Sequence, residues 1–261
     1  MGTGPRHWIS ALRISHNALR SQVAALSPAQ LEVASYCKGW DVSQVLSHLG
    51  SGAEIALRGL ERALAGRAPM EMAEFPVIWE RWNSLSPADR ASQLVVWDRR
   101  HVSVLEGLDD KVLSSLRVHM IGMELDMATA VGFRLGEHAL HSWDVAVTFD
   151  SRAEVLSTSV ELLVDRVPFL AGRLAKAEGA GAPRHIEVRT VRPERRFLLS
   201  ITDHVTMSED VDGSARGVLE LPAACLLRLA YGRLDADHTP ADVKTDGEAH
   251  LDELRRVFPG F

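Results

Sequence analysis

Apolar positions recur at helical spacing through roughly the first 175 residues, and the pattern changes after them. Residues 8–26 place Ile9, Leu12, Ile14, Leu19, Val23 and Leu26 near a 3.6-residue period, and Ser27-Pro28 breaks the run. A second helix is predicted after Trp40-Asp41, with Asp41 as its N-cap and Val42, Val45, Leu46, Leu49, Ala53, Ala56, Leu57 and Leu60 as its stripe. A Gly/Pro/Met-bearing segment, 66–76, and a tryptophan-bearing turn, Trp79 to Trp82, follow. Ser86 and Pro87 then open a third long helix that reaches about Leu108. A fourth is predicted from about Gly122 to Phe149 and a fifth from about Arg152 to Leu174.

Glu178 to Pro183 reads as a linker. Beyond it, His185–Val191, Arg196–Thr202 and Arg216–Leu221 are predicted strands, with a turn at Arg192–Arg195 between the first two. A short apolar helix, Ala223–Tyr231, and a final amphipathic one, Glu248–Phe258, complete the chain. The expected class is α+β: a helical domain over residues 1–178, then a small α+β domain over 184–261.

Composition narrows the partners. The chain is 46% hydrophobic and 25% charged, as a globular protein is, and 261 residues suffice for one large domain or two ordinary ones. A net charge of −6 speaks against a general nucleic-acid binder. There is no apolar run of about 18 residues to span a membrane, and the first residues lack the apolar core of a signal peptide. Two cysteines, Cys37 and Cys225, are too few for a disulfide scaffold. We therefore expect a cytoplasmic monomer or homodimer whose partners are small molecules, neither nucleic acid nor membrane.

The fourth helix carries the chemistry. At 100° per residue, Arg134, Glu137, His141 and Asp144 fall within roughly an 80° sector, while most of the remaining surface is apolar or small. Ionisable groups on a helix apolar nearly all round are costly unless paired or metal-bound. Glu137 and His141, one turn apart, suit two ligands of one ion, and His48, on the flank of the second helix's stripe, is the candidate third. Three protein ligands leave a tetrahedral position open, the pattern of a catalytic rather than a structural zinc. By itself the Glu-to-His spacing is a weak signal, and a Glu-His-Arg-Asp surface network on the helix is the more ordinary reading of it.

Two segments carry a resemblance. Cys37-Lys38-Gly39-Trp40-Asp41-Val42 through Val45-Leu46-Ser47-His48-Leu49 resembles the G-W-x-V-x-x-V-x-x-H-L signature of DinB-like helical bundles, and Arg134 to Asp144 resembles an R-x-x-E-x-x-x-H-x-x-D signature. Together they resemble the mycothiol-dependent maleylpyruvate isomerase family. Leu226 to Arg233, then Val243 to Gly247, are similar to that family's sterol-carrier-like C-terminal domain. The resemblance implies a DinB-like antiparallel four-helix bundle holding zinc or another divalent metal through His48, Glu137 and His141, with mycothiol as cosubstrate. It implies an arginine of the C-terminal domain near the active site, for which Arg233 is the best match and Arg228 an alternative. Asp144 supports a ligand or orients the thiol, and Arg134 joins it among the candidate catalytic residues. The expected reaction is cis-trans isomerisation of a maleylpyruvate-like acid. The alternatives are a mycothiol S-transferase conjugating an electrophile, a metal-dependent hydrolase, and a non-catalytic metal- or small-ligand-binding module.

The remaining reactive side chains read as structural. His138, about 100° from Glu137, is expected to face solvent or support the site rather than bind metal. His101 and His119 are expected at the surface or in packing, and His204 in an exposed turn. Cys37 and Cys225 read as small buried hydrophobes. Trp79, Trp82 and Trp97 read as interhelix packing, since no basic patch accompanies them.

Overall fold

The long helices begin where a proline or a capping side chain deals with the first free N–H groups. The structure, a computed structural model, describes residues 4–120 and 122–260. Helix α1 (Pro5–Ala25) has Pro5 in its first turn and buries Trp8, Ile9, Leu12 and Leu19. After a single turn, α2 (Pro28–Leu31), comes α3 (Val42–Leu64). Its cap is reciprocal: Asp41 accepts from the Gln44 backbone at 2.7 Å, and the Gln44 side chain accepts from the Asp41 backbone at 2.8 Å. Helix α5 (Pro87–Gly107) is capped by Ser86, as its sequence predicts. Asp126 caps α7 (Met127–Val147) by accepting from the Thr129 backbone at 2.7 Å.

Two of these boundaries differ from the sequence reading. Helix α4 (Glu74–Asn83) occupies the region read as a turn, because Ile78 and Trp82, one turn apart, face the core. The fourth helix starts five residues later than predicted. After the short helix α6 (Asp110–Ser115), two strands pair antiparallel, β1 (Arg117–Met120) with β2 (Met123–Asp126). Gly122, at φ 72°, takes the left-handed conformation that glycine favours just before β2. The expected fifth helix is likewise broken. It divides into α8 (Ser157–Leu163), a 3-10 turn at Val164–Arg166, and α9 (Val167–Leu174). Pro168 sits in the first turn of α9, where its missing N–H does no harm; within a continuous helix it would remove a bond and clash one turn back.

The chain forms two compact units, Met1–Ser159 and Val160–Phe261. In the first, α1, α3, α5 and α7 make a bundle, with α1 against α5 and α7, and α3 against α4, α5 and α7. Its core includes Leu19, Val45, Leu46, Leu49, Ile78, Trp82, Leu94 and Val145. Burial of each large side chain contributes about 1.5–3 kcal/mol. Trp82 is wholly buried, its Nε1 donating to Glu54 at 2.7 Å. Gly50 lets it lie flat on α3, since a Cβ at position 50 would stand 2.3 Å from the indole ring. Gly50→Ala is therefore expected to cost about 1–3 kcal/mol through overpacking. A differential scanning measurement should show a melting temperature lower by roughly 2–12 °C, despite the better helix propensity of alanine.

The second unit is a five-stranded sheet in the order β5-β4-β3-β6-β7, made of β3 (Arg184–Val191), β4 (Arg195–Ile201), β5 (Val205–Ser208), β6 (Gly217–Pro222) and β7 (Lys244–Gly247). β3 pairs antiparallel with β4 and parallel with β6. Ile186, Val188, Phe197, Leu199, Ile201, Leu219 and Leu221 alternate onto one buried face, against which α9 and α10 (Ala223–Ala230) pack. α11 (Leu251–Val257) closes the unit. Both edge strands escaped the sequence reading: β5 has four residues, and β7, Lys-Thr-Asp-Gly, is exposed along its length. A short polar edge with a lysine is how sheets avoid pairing with other chains, and it leaves little apolar pattern to read. The α+β class, helical unit first and sheet unit second, is as expected.

Candidate metal centre

α3 delivers one side chain and α7 three to the same place. His48 lies on the flank of the α3 stripe, two turns beyond the cap; Glu137, His141 and Asp144 follow one another along α7. Nε2 of His48 stands 2.8 Å from Oε2 of Glu137, and Nε2 of His141 stands 3.6 Å from the same oxygen. One donor atom from each of the three lies within 4.8 Å of the others. The two imidazole rings meet edge to face, with centroids 4.7 Å apart. Trp40, from the turn before the cap, leans on His48 at 5.4 Å.

Behind this trio sits a fully buried carboxylate. Asp144 accepts from Nδ1 of His141 at 2.8 Å, which orients the ring and turns Nε2 toward Glu137 and His48. The thiol of Cys37 donates to the same carboxylate at 3.1 Å, so this cysteine is half-buried beside the site rather than sealed in the core. Burial alone would raise the pKa of Glu137. The hydrogen bond from His48, with the charges of His141, His48 and Arg134, outweighs burial and holds the carboxyl at about 2. Glu137 therefore carries the negative charge of the trio.

The donor set suits a divalent metal. Two imidazoles and one carboxylate are borderline nitrogen and oxygen ligands, they come from two packed helices, and three of them leave a tetrahedral ion one position short. A hydrogen-bonded carboxylate behind one imidazole is the usual outer support of such a ligand. Uptake of an ion at Nε2 of His48 would displace the hydrogen bond between His48 and Glu137. Asp144→Asn should leave the bundle folded and lower metal affinity by about 10–100-fold, since the amide cannot hold the same tautomer with the same charge. Competition against a chelating dye measures this.

The other predicted site residues divide. Arg134 is buried one turn before Glu137, its Nη2 donating to the carbonyl of Leu49 at 2.8 Å and to Asp98 at 3.0 Å. Arg233 belongs to the second unit, in the turn after α10, where its Nη1 donates to the Tyr231 carbonyl at 3.0 Å. Arg228, the alternative, is buried in the same unit and donates to the carbonyls of Arg233 and His238.

Sequence reasoning missed the polar cluster inside the bundle. Asp98 of α5, 1% exposed, accepts from Nδ1 of His16 and Nε2 of His138, each at 2.7 Å, besides Arg134. His138 is therefore wholly buried rather than solvent-facing, and His101, one turn beyond Asp98, is buried in packing. The available signal was position: His16 and Asp98 fall on the apolar stripes of α1 and α5, between Leu12 and Leu19 and between Leu94 and Val102.

With this geometry in hand, similarity to known proteins is informative. Residues 12–146 match the sequence family described as the mycothiol maleylpyruvate isomerase N-terminal domain. No curated protein matches the chain significantly. Among solved structures, a crystal structure of the mycothiol-dependent maleylpyruvate isomerase is similar over 93% of both chains, with TM-score 0.67 and 14% identity. A histidine-to-alanine mutant of that isomerase is similar to the same degree. At that identity the likeness speaks for the fold across both units.

Proposed function

We propose that this chain, which belongs to the mycothiol maleylpyruvate isomerase N-terminal domain family, is a metal-dependent isomerase that converts a maleylpyruvate-like cis acid to its trans isomer by reversible addition of a mycothiol-like thiol. The observation that carries this reading is the convergence of His48, Glu137 and His141, with Asp144 behind His141, in a bundle of that family. A divalent metal held by those three residues, zinc by the chemistry of the donors, would lower the pKa of an incoming thiol and keep it a nucleophile near neutral pH.

The chain's own side chains account for the rest. Asp144 keeps the Nδ1 proton of His141 in place, so that Nε2 is the donor presented to the cleft. Glu137 supplies one negative charge, which together with an entering thiolate neutralises a doubly charged ion. Trp40 covers one side of His48 with an apolar ring and lowers water access there. Cys37 has its thiol engaged with Asp144, in keeping with a nucleophile that arrives from outside the protein.

The test is direct. Metal-loaded protein, mycothiol and maleylpyruvate are followed by proton NMR of the vinyl region. Trans product is expected only with thiol and protein together, with the thiol recovered unchanged. A stable thioether accumulating instead would make the chain an S-transferase. Isothermal titration gives the second arm: thiol should bind the metal-loaded protein, and binding should vanish in His48→Ala. Equal binding by both would overturn the assignment.

A further inference from the structure

The buried Asp98 cluster adjoins the ligands: His138 follows Glu137 in the chain, and Arg134 lies one turn before it on α7. Its geometry is specific. The carboxylate of Asp98 can only accept, so His16 of α1 donates to Oδ2, and His138 of α7 and Arg134 donate to Oδ1. One carboxylate on α5 thereby gathers side chains from two other helices. Arg134 then carries the connection onward: from α7 it crosses to α3 and donates to the carbonyl of Leu49, the residue after His48. Room for the crossing comes from Gly52, where a Cβ would stand 3.0 Å from Nη1 of Arg134.

Buried ionic clusters rarely add net stability; replacing one by well-packed apolar residues is often neutral or stabilising. What such a cluster does supply is a fixed register between elements, since slippage would leave a charge buried and unpaired. Here the elements tied together are the two that bear the ligands. Glu137 and His141 lie one and two turns beyond Arg134 on α7, and His48 adjoins its acceptor on α3.

We propose that Arg134, anchored by Asp98, is a positioning residue that sets the spacing between His48 on one helix and Glu137 and His141 on the other before the metal arrives. This rests on the reading of the trio as a metal centre. A preformed ligand spacing raises metal affinity because the ion need not draw two helices into register as it binds. Arg134 then acts through the backbone of α3 and never meets the substrate.

Cobalt(II) is the probe, since its visible absorption reports both affinity and ligand geometry. Wild type and Asp98→Asn, which keeps the shape of the carboxylate and loses its charge, are titrated with cobalt, and each is melted with and without the ion. The expected result is a cobalt affinity lower by about 10–100-fold in Asp98→Asn, an altered absorption band, and a smaller rise in melting temperature on adding cobalt. If that variant does not fold, Arg134→Lys, which keeps the cation and loses the fork, is measured in its place, with a loss of about tenfold or more expected. A variant that melts lower but binds cobalt with wild-type affinity and spectrum overturns the proposal, because the cluster then only stabilises the bundle. A wild type that binds no cobalt overturns the metal reading itself, and the proposal with it.

Discussion

Glu137→Ala should strip the protein of its metal and its thiol-dependent activity together. Binding of zinc by small protein sites is worth on the order of 10–16 kcal/mol, so loss of one ligand in three removes roughly 3–5 kcal/mol, or about two to four decades in affinity. The loss is sharpened by charge. Glu137 is the anion of the trio, held ionised down to about pH 2 although burial opposes it, because His48, His141 and Arg134 surround it. Without it, two imidazoles 4.7 Å apart are left to hold a doubly charged ion with no neutralising ligand. Elemental analysis of protein prepared without added metal should give close to one equivalent for wild type and near zero for the variant. Comparable metal in both would remove Glu137 from the ligand set.

The second large effect is on stability. Asp98→Ala leaves Arg134 in the core without its counter-charge, and breaking a buried pair from one side typically costs about 3–5 kcal/mol, or roughly 6–20 °C in melting temperature for a unit of this size. Its pH dependence has a definite sign. Burial would raise the pKa of Asp98, but the charge of and hydrogen bond from His138, the hydrogen bond from His16 and the charge of Arg134 hold it well below the ordinary range. A depressed carboxyl contributes stability above its unfolded value, about 3.9, and that stability is lost only as pH falls through the folded value. Asp98 itself therefore adds no pH dependence to the deficit between pH 8 and pH 5, and any growth of the deficit on acidification reports His138, whose burial-lowered pKa Asp98 partly offsets.

His101 behaves differently. Burial first, then the charge of Arg134, pushes its pKa down to about 3. An unfolded histidine titrates near 6.5, so the stability held by neutral His101 is complete above that pH and drains away as pH falls from about 6.5 toward 3. Wild type should lose melting temperature across that window, and His101→Phe should lose less. An equal acid slope in both would show that other groups carry it.

How much of this was readable from the residues follows from what each feature does to a pattern. Helices α3 and α5 announce themselves through caps, Asp41 and Ser86, and α3 also through its apolar stripe. Glu137 and His141 stand out as ionisable residues one turn apart on an otherwise apolar helix, a weak signal alone; the family resemblance of the two segments strengthened their grouping with His48 on the other helix. Asp98 and His16 were not, since a single polar residue on a stripe resembles ordinary irregularity until a partner on a helix more than 80 positions away is known. Neither was the strand pair before α7: Met123 and Leu125 continue an apolar pattern that fits helix and strand alike, and the pairing with Arg117–Met120 decides it. The break at Pro168 was visible in the sequence, and a helical period on both sides of it concealed it.

Zinc-edge X-ray absorption on the zinc-loaded protein tests the centre of this account most directly. Without thiol, the account predicts two imidazole nitrogens and a carboxylate oxygen at about 2.0–2.2 Å and no sulfur, with one sulfur at about 2.3 Å appearing when mycothiol is added. A sulfur already present in thiol-free protein would put Cys37 on the metal, and a shell of oxygens alone would remove His48 and His141; either contradicts it.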